Sequence, residues 1–430
     1  MDPVRRPPLP VPAKPPPGPF RRPWWKSPLR GPWLTSFLGS ALLPLVAICF
    51  LTGLLSHAAY DPGLGSNEVI GPGGLDVVIV DWPTSPAWLY ALNQGLHVAT
   101  GIAAIPLLLA KLWSVIPKLY EWPPVRSIAH GLERLSLAFL VGGSLFVFFT
   151  GVLNIQVYYP WKFNFVSAHW YGAWIFVAAL ALHVALKVPT IRRAFRDRGV
   201  LRPLRDDLAH TRPEPFEDGT TAPLAPAEPT ISRRGLIASL GAACAALLLL
   251  AGGQSIGGPL RRLSFLGPRG DDLGSGPNSF QVNKTAAAAA IDVAQTSPAW
   301  RLRVAGPGGV TQLSREDLLR MPQATERLPI ACVEGWSTTQ EWTGVRLAEL
   351  AAIAGADGDP VLVESLQRSG AFRQATLHAE AVRDERSLLA LKVNGADLSL
   401  DHGFPARVIV PALPGVHCTK WVASMQFGVA

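Results

Sequence analysis

Charged side chains are scarce in this sequence of 430 residues. Asp, Glu, Lys and Arg make up 16% of it, whereas soluble globular proteins contain about 25%. Hydrophobic residues make up 49%, and the two values together point to a membrane protein. The net charge of +8 does not indicate nucleic-acid binding, because the basic residues cluster beside apolar runs and form no Lys/Arg stripe with interleaved aromatics.

Cysteine is also rare, with four residues and no Cys-x-x-Cys motif. This count and spacing exclude a zinc site of the usual kind. Cys49 and Cys244 lie inside apolar runs, which favours a role as small buried hydrophobic residues. Cys332 and Cys418 lie in the C-terminal part of the chain, where an oxidising compartment would permit a disulfide between them.

Long apolar runs, in contrast, are abundant. A membrane-spanning helix needs about 20 apolar residues, and five runs approach this length: 34–56, 87–113, 132–154, 164–187 and the shorter 235–252. We predict an all-α membrane domain of four helices, followed by a fifth anchor helix. The alternative, buried helices of a soluble core, is disfavoured by basic flanks and by Trp and Tyr at the borders of the runs.

Lys and Arg are unevenly distributed between the loops. Seven precede the first run, none lies in 57–86, and seven more lie in 187–205. The positive-inside rule therefore predicts a plasma-membrane protein with a cytoplasmic N-terminus and an extracytoplasmic C-terminal domain. The segment Ser232–Ile237 resembles a twin-arginine export signal, although two arginines before a span are also ordinary positive-inside sequence.

Histidines inside or beside the spans are functional candidates, because ionisable residues are costly in a bilayer. His169 and His183 lie on one face of the fourth span, separated by a rise of about 21 Å. His97 lies on the second span, His57 closes the first, and His130 opens the third. Neutral imidazole is an axial ligand of haem b. We expect His169 to pair with His97 or His57, and His183 with His130.

The predicted membrane domain resembles the four-helix di-haem transmembrane cytochromes b that anchor hydrogenases and formate dehydrogenases. The resemblance rests on the paired histidines of the fourth span and on the one of the second. It implies one or two haems b that exchange electrons with quinone or another membrane carrier. The chain departs from the family in 34–56, which contain no histidine. Alternatively, these histidines satisfy buried polar groups or face lipid headgroups.

A different pattern begins near residue 300. Alternating apolar residues predict strands at 300–304, 328–333, 361–364, 389–393, 406–410 and 421–427, with helices at 314–320 and 345–354. The C-terminal domain is therefore predicted as mixed α+β and β-rich. The predicted organisation is a disordered cytoplasmic tail (1–30), a membrane domain (31–190), a cytoplasmic linker (191–230), the anchor helix (231–253), a second linker (254–285) and the C-terminal domain (286–430).

Three ordered blocks in the C-terminal domain carry a second resemblance. They are Leu328–Ser337, which contains Cys332, then Leu391–Arg407, then Val410–Trp421. The series resembles the molybdenum-cysteine and pterin-binding segments of the sulfite-oxidase superfamily, over about residues 280–430. The resemblance implies a molybdopterin-dependent oxidoreductase that performs oxygen-atom transfer on a small-molecule substrate, with molybdenum cycling between Mo(VI) and Mo(IV).

The resemblance also implies roles for individual residues. Cys332 would bind molybdenum, for which a soft thiolate is suited, and Arg and Lys are natural phosphate partners. The implied pterin contacts are Asn283, His402, Arg407, Thr419 and Lys420. For His402 a structural role in a turn is the alternative. Two other functions stay open: a sulfoxide or N-oxide reductase, and a haem-bearing anchor whose molybdopterin-like domain only binds a partner.

Overall fold

The structure is a computed structural model that describes residues 14–60, 67, 74, 82–267 and 273–428. Within the predicted disordered tail, residues 1–13 lie outside the described part. The remainder of the tail departs from the prediction, because Gly18–Phe20 and Arg22–Trp24 form short 3-10 helices. Phe20 packs edge-on against Tyr120 at 5.4 Å. Proline presets the backbone of these turns, and the aromatic contact anchors them.

The N-terminal part is helical and contains five long apolar helices among the described residues. They are α1 (Pro32–Tyr60), α2 (Leu89–Leu119), α3 (Ile128–Ile155), α4 (Phe165–Arg198) and α5 (Arg233–Ile256). Each covers all or nearly all of one of the predicted apolar runs, and each is long and apolar enough to cross a membrane by length and composition. The prediction of a helical N-terminal part is confirmed.

Helix α4 shows how the chain fixes a helix boundary. Asn164 is the N-cap, and its Oδ1 accepts hydrogen bonds from the backbone N–H groups of Val166 and Ser167. The helix ends at Gly199, whose φ of 73° suits glycine. It therefore runs into the predicted linker, because the Lys, Arg and Ala residues beyond the apolar run are good helix formers. Helix α5 similarly extends past residue 253.

Arg233 opens helix α5 and is the first arginine of the predicted export signal. Its side chain is fully buried, and its Nη2 donates to the backbone carbonyl of Arg212 at 2.8 Å. In the folded chain this arginine therefore has a structural role, and recognition as an export signal stays a prediction.

The C-terminal domain is β-rich, as predicted. Its strands are β1 (Arg301–Gly306), β2 (Gly309–Ser314), β3 (Ala324–Ala331), β4 (Ser337–Arg346), β5 (Val361–Ser365), β6 (Gln374–Leu377), β7 (Leu388–Val393), β8 (Ala396–Asp397), β9 (Arg407–Ile409) and β10 (Val422–Phe427). Three short helices connect them: α6 (Arg315–Arg320), α7 (Leu347–Ile353) and α8 (Ala379–Arg383).

The strands form two five-stranded sheets. One has the order β2-β1-β10-β5-β6, and the other has the order β3-β4-β7-β8 with β9 also paired to β7. The pair β1–β10 is parallel, so the last strand of the chain closes against the first strand of the domain. Fully buried aliphatic residues such as Leu302, Val363 and Leu389 form the core, in keeping with the predicted alternation.

The chain divides into two compact units. The first comprises Met1–Ala47, Ala103–Val152 and Phe163–Ala246, and the second comprises Ile48–Ile102, Leu153–Lys162 and Leu247–Ala430. The second unit thus combines the C-terminal domain with parts of α1, α2 and α5. Tyr60, Trp82 and Tyr90 share one hydrophobic cluster with the core of the C-terminal domain.

Candidate cofactor sites

Cys332 lies in the five-residue connection between β3 and β4, immediately after Ala331 pairs with Ser337. Its backbone N–H donates to the carbonyl of Trp336 at 3.0 Å, and its own carbonyl accepts from Gly335 at 2.9 Å. Gly335 has a φ of 92°, which favours glycine. These bonds close a tight turn, which we call the Cys332 loop (332–336), and they hold the cysteine at 7% exposure.

The disulfide alternative for Cys332 and Cys418 is wrong. All four cysteines lie within the described residues, and none of them forms a disulfide. Cys418 is buried, and burial raises the pKa of its thiol.

Two basic side chains are buried near each other, and one of them, Lys420, lies close enough to Cys332 for their charges to interact. Arg407 is 5% exposed and Lys420 is 7% exposed, and among the described residues neither has a carboxylate within ion-pair distance. The guanidinium of Arg407 donates to the carbonyls of His402 at 3.1 Å and Cys418 at 3.3 Å. The ammonium of Lys420 donates to the carbonyl of Asp401 at 2.9 Å and to that of Lys284.

The electrostatics of this pair favour an anionic partner. Burial, and next the charge of Arg407, lowers the pKa of Lys420 to about 6, while Asp401 and Cys332 act in the opposite direction. Burial likewise lowers the pKa of Arg407 to about 10. Uncompensated buried charge is unfavourable, so without a partner the side chain of Lys420 is mostly neutral at pH 7. A bound anion such as a phosphate would stabilise the protonated form of Lys420 and the guanidinium of Arg407.

His402 is held by its neighbours. Its ring stacks on Phe280 with centroids 3.7 Å apart, and its Nε2 donates to the carbonyl of Asn278 at 2.9 Å. Burial, and next the charge of Arg407, lowers the pKa of His402 to about 4, so the imidazole is neutral at pH 7. These contacts suit the structural alternative, and a role for His402 toward a cofactor stays a prediction.

Asn283 and Thr419 are the remaining predicted pterin contacts. The Oδ1 atom of Asn283 accepts from the backbone N–H of Lys284, and the carbonyl of Lys284 in turn accepts from Lys420. Thr419 is 3% exposed, and its carbonyl accepts from Val408 at 2.9 Å. The fold therefore brings the 280–284 segment and the 402–420 segment together.

Two further residues of these segments were not predicted. Gln281 is 3% exposed and His417 is 2% exposed. The backbone of Ala59 and Tyr60 lies beside His417, but its ring nitrogens make no hydrogen bond of acceptable geometry within the described ranges. Burial lowers the pKa of His417 to about 4, so the ring is neutral at pH 7.

The buried polar atoms without partners fit a polar, anionic cofactor. In the described part of the chain they include both amide atoms of Gln281, the Nε of Arg407, both ring nitrogens of His417 and the hydroxyl of Thr419. Buried polar groups in native proteins are normally hydrogen-bonded, so three such residues together with the two buried basic residues Arg407 and Lys420 indicate a binding site. A pterin with a phosphate would offer partners of both kinds.

His97 shows the contacts of an oriented metal ligand. Its Nδ1 donates to the backbone carbonyl of Cys49 at 2.8 Å, and the hydroxyl of Thr52 lies 3.5 Å from the same nitrogen. In the neutral ring the lone pair is then on Nε2. Metal-ligating histidines usually donate their second nitrogen in this way.

His169 has a matching arrangement. The hydroxyl of Thr150 donates to the carbonyl of Phe146 at 2.8 Å and therefore accepts from the Nδ1 of His169 at 3.1 Å. A Cβ atom on Gly151 would lie 3.3 Å from the Cε1 of His169, and one on Gly53 would lie 3.1 Å from the Cε1 of His97. Each histidine thus faces a Thr-Gly pair of another helix.

The Thr-Gly pairs belong to a repeated sequence pattern that was not predicted. Phe50–Leu55 and Phe148–Leu153 both read Phe-x-Thr-Gly-x-Leu. Glycine lets a ring approach the helix backbone, and the threonine supplies a hydrogen-bond acceptor. The repeat itself could have been found in the sequence, but its contacts with histidines could not.

In the described residues, His130 and His183 show different surroundings. The Nδ1 of His130 accepts from the backbone N–H of Arg126 at 3.1 Å, so the ring has a local role at the start of α3. His183 makes no hydrogen bond in the part of the chain that the structure describes, and His57 lies half-buried in the last turn of α1. Their roles as haem ligands stay predictions.

Comparison with known proteins matches the C-terminal domain. Residues 288–429 match the oxidoreductase molybdopterin binding domain. The chain is 34% identical over 130 residues to the uncharacterized oxidoreductase YuiH of Bacillus subtilis and 33% identical over 156 residues to mitochondrial sulfite oxidase of Mus musculus. It is also 30% identical over 167 residues to the catalytic subunit MsrP of the protein-methionine-sulfoxide reductase of Xanthomonas campestris.

These matches are confined to about a third of the chain. They cover 30%, 30% and 34% of it, and 65%, 29% and 50% of the three relatives respectively. The C-terminal part thus matches the oxidoreductase molybdopterin binding domain, and the matched relatives include a sulfite oxidase and a methionine sulfoxide reductase subunit. The predicted resemblance to molybdopterin-dependent oxidoreductases is thereby confirmed for this domain, and the activity of the whole protein stays a prediction.

Proposed function

We propose that the protein is a membrane-bound molybdopterin-dependent oxidoreductase that transfers an oxygen atom to or from a small molecule. The observation that carries the proposal is the set of buried polar groups without partners near Arg407 and Lys420. All of these residues except Gln281 lie within the residues matched to molybdopterin binding. The two relatives with named activities act on sulfite and on methionine sulfoxide. A compound with a sulfur–oxygen bond is therefore the proposed substrate class.

The chain's own residues have distinct roles in this proposal. Cys332 supplies the thiolate ligand of the metal, and the shielded Cys332 loop fixes its position. Arg407 and Lys420 bind the phosphate of the pterin, while Gln281, His417 and Thr419 offer hydrogen bonds to its polar edge. When bound, the cofactor supplies the two-electron oxygen-atom transfer, and the protein supplies binding and orientation.

The long helices supply the second part of the proposal. Five helices suit a multi-pass membrane protein, and the distribution of Lys and Arg favours a cytoplasmic N-terminus with an extracytoplasmic C-terminal domain. His97 and His169 are the proposed ligands of haem b, supported by the donation of each Nδ1. Through haem, electrons would be exchanged one at a time with membrane quinone.

The direction of the reaction separates two forms of this function. An oxidase of sulfite type would pass electrons from the substrate to the haem, whereas a sulfoxide or N-oxide reductase would draw them from it. The C-terminal domain has a relative of each kind, a sulfite oxidase and a methionine sulfoxide reductase subunit. If the protein is instead a haem-bearing anchor with a non-catalytic interaction domain, no substrate should reduce or reoxidise the haem.

One experiment tests these proposals together. The full chain is purified in detergent, its molybdenum and haem are quantified, and its haem spectrum is followed after addition of sulfite, methionine sulfoxide or an N-oxide. We expect either sulfite to reduce the oxidised haem or an oxide to reoxidise the reduced haem. Protein without molybdenum, or with molybdenum and haem but no response to any of these compounds, would contradict the proposed function.

A further inference from the structure

The Cys332 loop contacts the same segment of helix α2 that carries His97. The side-chain amide of Gln94 donates to the backbone carbonyl of Val333 at 2.6 Å. Val333 directly follows Cys332, and Gln94 precedes His97 by one helical turn. A single buried hydrogen bond therefore joins the proposed molybdenum loop to the helix of the proposed haem ligand.

Gly335 makes the second contact of this loop. A Cβ atom at this position would lie 2.6 Å from the Cγ2 of Val98 and 2.8 Å from the Oγ of Ser255. The loop backbone thus touches both α2 and α5, and only glycine fits there. Val98 is the residue next to His97, so the two contacts bracket the histidine along the helix.

Gln94 is held in place for this contact. It is 3% exposed, and its Oε1 accepts a hydrogen bond from the hydroxyl of Ser56 at 2.8 Å. The bond from Ser56 orients the amide so that its nitrogen points toward Val333. A buried amide with both ends engaged is a fixed connection rather than an occasional surface contact.

The opposite side of His97 is also fixed. Its Nδ1 donates to the carbonyl of Cys49, which holds the ring orientation relative to the helix that carries Gln94. Cys332 and His97 are therefore connected through three rigid elements: the Cys332 loop, the hydrogen bond of Gln94 and helix α2.

We infer that Gln94 is a positioning residue that docks the Cys332 loop on α2, so that electrons pass between the molybdenum cofactor and the haem bound by His97 through this contact. The inference rests on the proposed function and extends it to a specific route. Each transfer moves one electron from one cofactor to the other, with no bond made or broken in the protein.

The test compares Gln94→Leu with Gln156→Leu. The side-chain amide of Gln156 also donates to a backbone carbonyl, that of Leu266 at 2.9 Å, but away from the Cys332 loop, so it is a matched control. In the purified full chain, stopped-flow absorbance measures the rate of haem redox change driven by the substrate. Hydrogen–deuterium exchange measures the protection of the backbone in 332–336.

We expect Gln94→Leu to slow substrate-driven haem redox change about tenfold, the scale set by losing one buried hydrogen bond and leaving its carbonyl unpaired. Exchange in 332–336 should rise, while molybdenum content, the haem spectrum and chemical haem reduction by dithionite stay unchanged. Gln156→Leu should match the wild type in all of these. Gln94→Asn, which keeps the amide on a shorter stem, should lie between them.

The outcomes separate the route from the function on which it rests. An unchanged rate in Gln94→Leu, with both cofactors present, would overturn the route and leave the proposed function standing. Unchanged exchange in 332–336 would overturn the docking role in the same way. Wild-type protein whose haem does not respond to any substrate would overturn both the route and the proposed function.

Discussion

The proposed pterin site of the C-terminal domain and the two candidate haem ligands on the long helices differ in how their polar groups are satisfied. Around Arg407 and Lys420, several buried groups lack partners within the described residues. On the helices, His97 and His169 each have an Nδ1 that is already bonded to a neighbouring helix. The pterin site contains several polar groups without partners in the described residues, whereas each of the two histidines is an imidazole held in a fixed orientation.

Under the proposed function, the two sites bind two different kinds of ligand. A set of unmet donors and cations needs a large anionic molecule with many polar atoms, whereas an oriented imidazole needs only one bond to a metal. The comparisons with known proteins address only the C-terminal domain. The assignment of His97 and His169 rests on local geometry and on the repeated Thr-Gly pattern.

The largest expected effect is a difference in haem binding between variants of His97 and His130. We predict that His97→Ala loses haem, with a drop in affinity of more than about 100-fold, since even the supporting contacts of a metal ligand are worth 10–100-fold. His130→Ala should keep haem, because its Nδ1 accepts a local backbone hydrogen bond. Haem absorbance per chain measures both, and equal haem in the two variants would contradict the assignment.

The next effect concerns the buried cations. Arg407→Met should lower cofactor affinity about 10–100-fold, because a charge-assisted hydrogen bond to phosphate contributes about 1.5–3 kcal/mol. Arg320→Met is the control, since Arg320 is 73% exposed in its ion pair with Glu316 and such pairs contribute little. The measurement is the molybdenum bound per chain. A wild-type molybdenum content in Arg407→Met would contradict the proposed phosphate site.

A smaller effect distinguishes the two Thr-Gly pairs. Thr150→Val removes the acceptor of His169 and should weaken haem binding about tenfold, the lower end of the range for contacts that support a metal ligand. Thr52→Val should have little effect, because the Cys49 carbonyl remains the acceptor of His97. Haem titration of both variants measures their haem affinities. A larger loss of affinity in Thr52→Val than in Thr150→Val would contradict this prediction.

The smallest effect is a pH dependence of the protein prepared without cofactor. The folded-state pKa of Lys420, about 6, lies below its ordinary value of 10.5. The unfolded chain therefore binds more protons between these values, and stability should rise with pH across this window. Relative to Lys420→Met, the free energy of unfolding of the wild type should rise by roughly 1 kcal/mol per pH unit between pH 6 and pH 9. Melting temperatures measure this gain, and parallel pH profiles would contradict it.

Sequence patterns predicted the regular elements better than the contacts. The five apolar runs and the six alternating segments became helices and strands, because burial requires such periodicity. Strand β4 was largely missed, since its first half, Ser337–Glu341, is polar and only Trp342, Gly344 and Val345 are buried. The linker was predicted to begin at residue 191, which is too early. Helix α4 continues to Arg198, because residues of high helix propensity follow its apolar part.

The site was predicted only where a motif carried it. Cys332, Arg407 and Lys420 followed from the resemblance to the sulfite-oxidase superfamily. Gln281 and His417 were missed because they are identified by buried polar atoms without hydrogen-bond partners. That property arises only when the segments 280–284 and 402–420 pack together in the folded domain. The bond from Gln94 to Val333 joins residues 239 positions apart, and no local pattern could indicate it.

Molybdenum bound per chain, compared between Cys332→Ser and Cys418→Ser, tests the central assignment most directly. Both thiols are buried, so the substitutions are matched in chemistry and environment. We predict that Cys332→Ser abolishes substrate-driven haem redox change and reduces bound molybdenum, whereas Cys418→Ser retains both. Wild-type molybdenum and redox change in Cys332→Ser would contradict the assignment of this cysteine as the metal ligand.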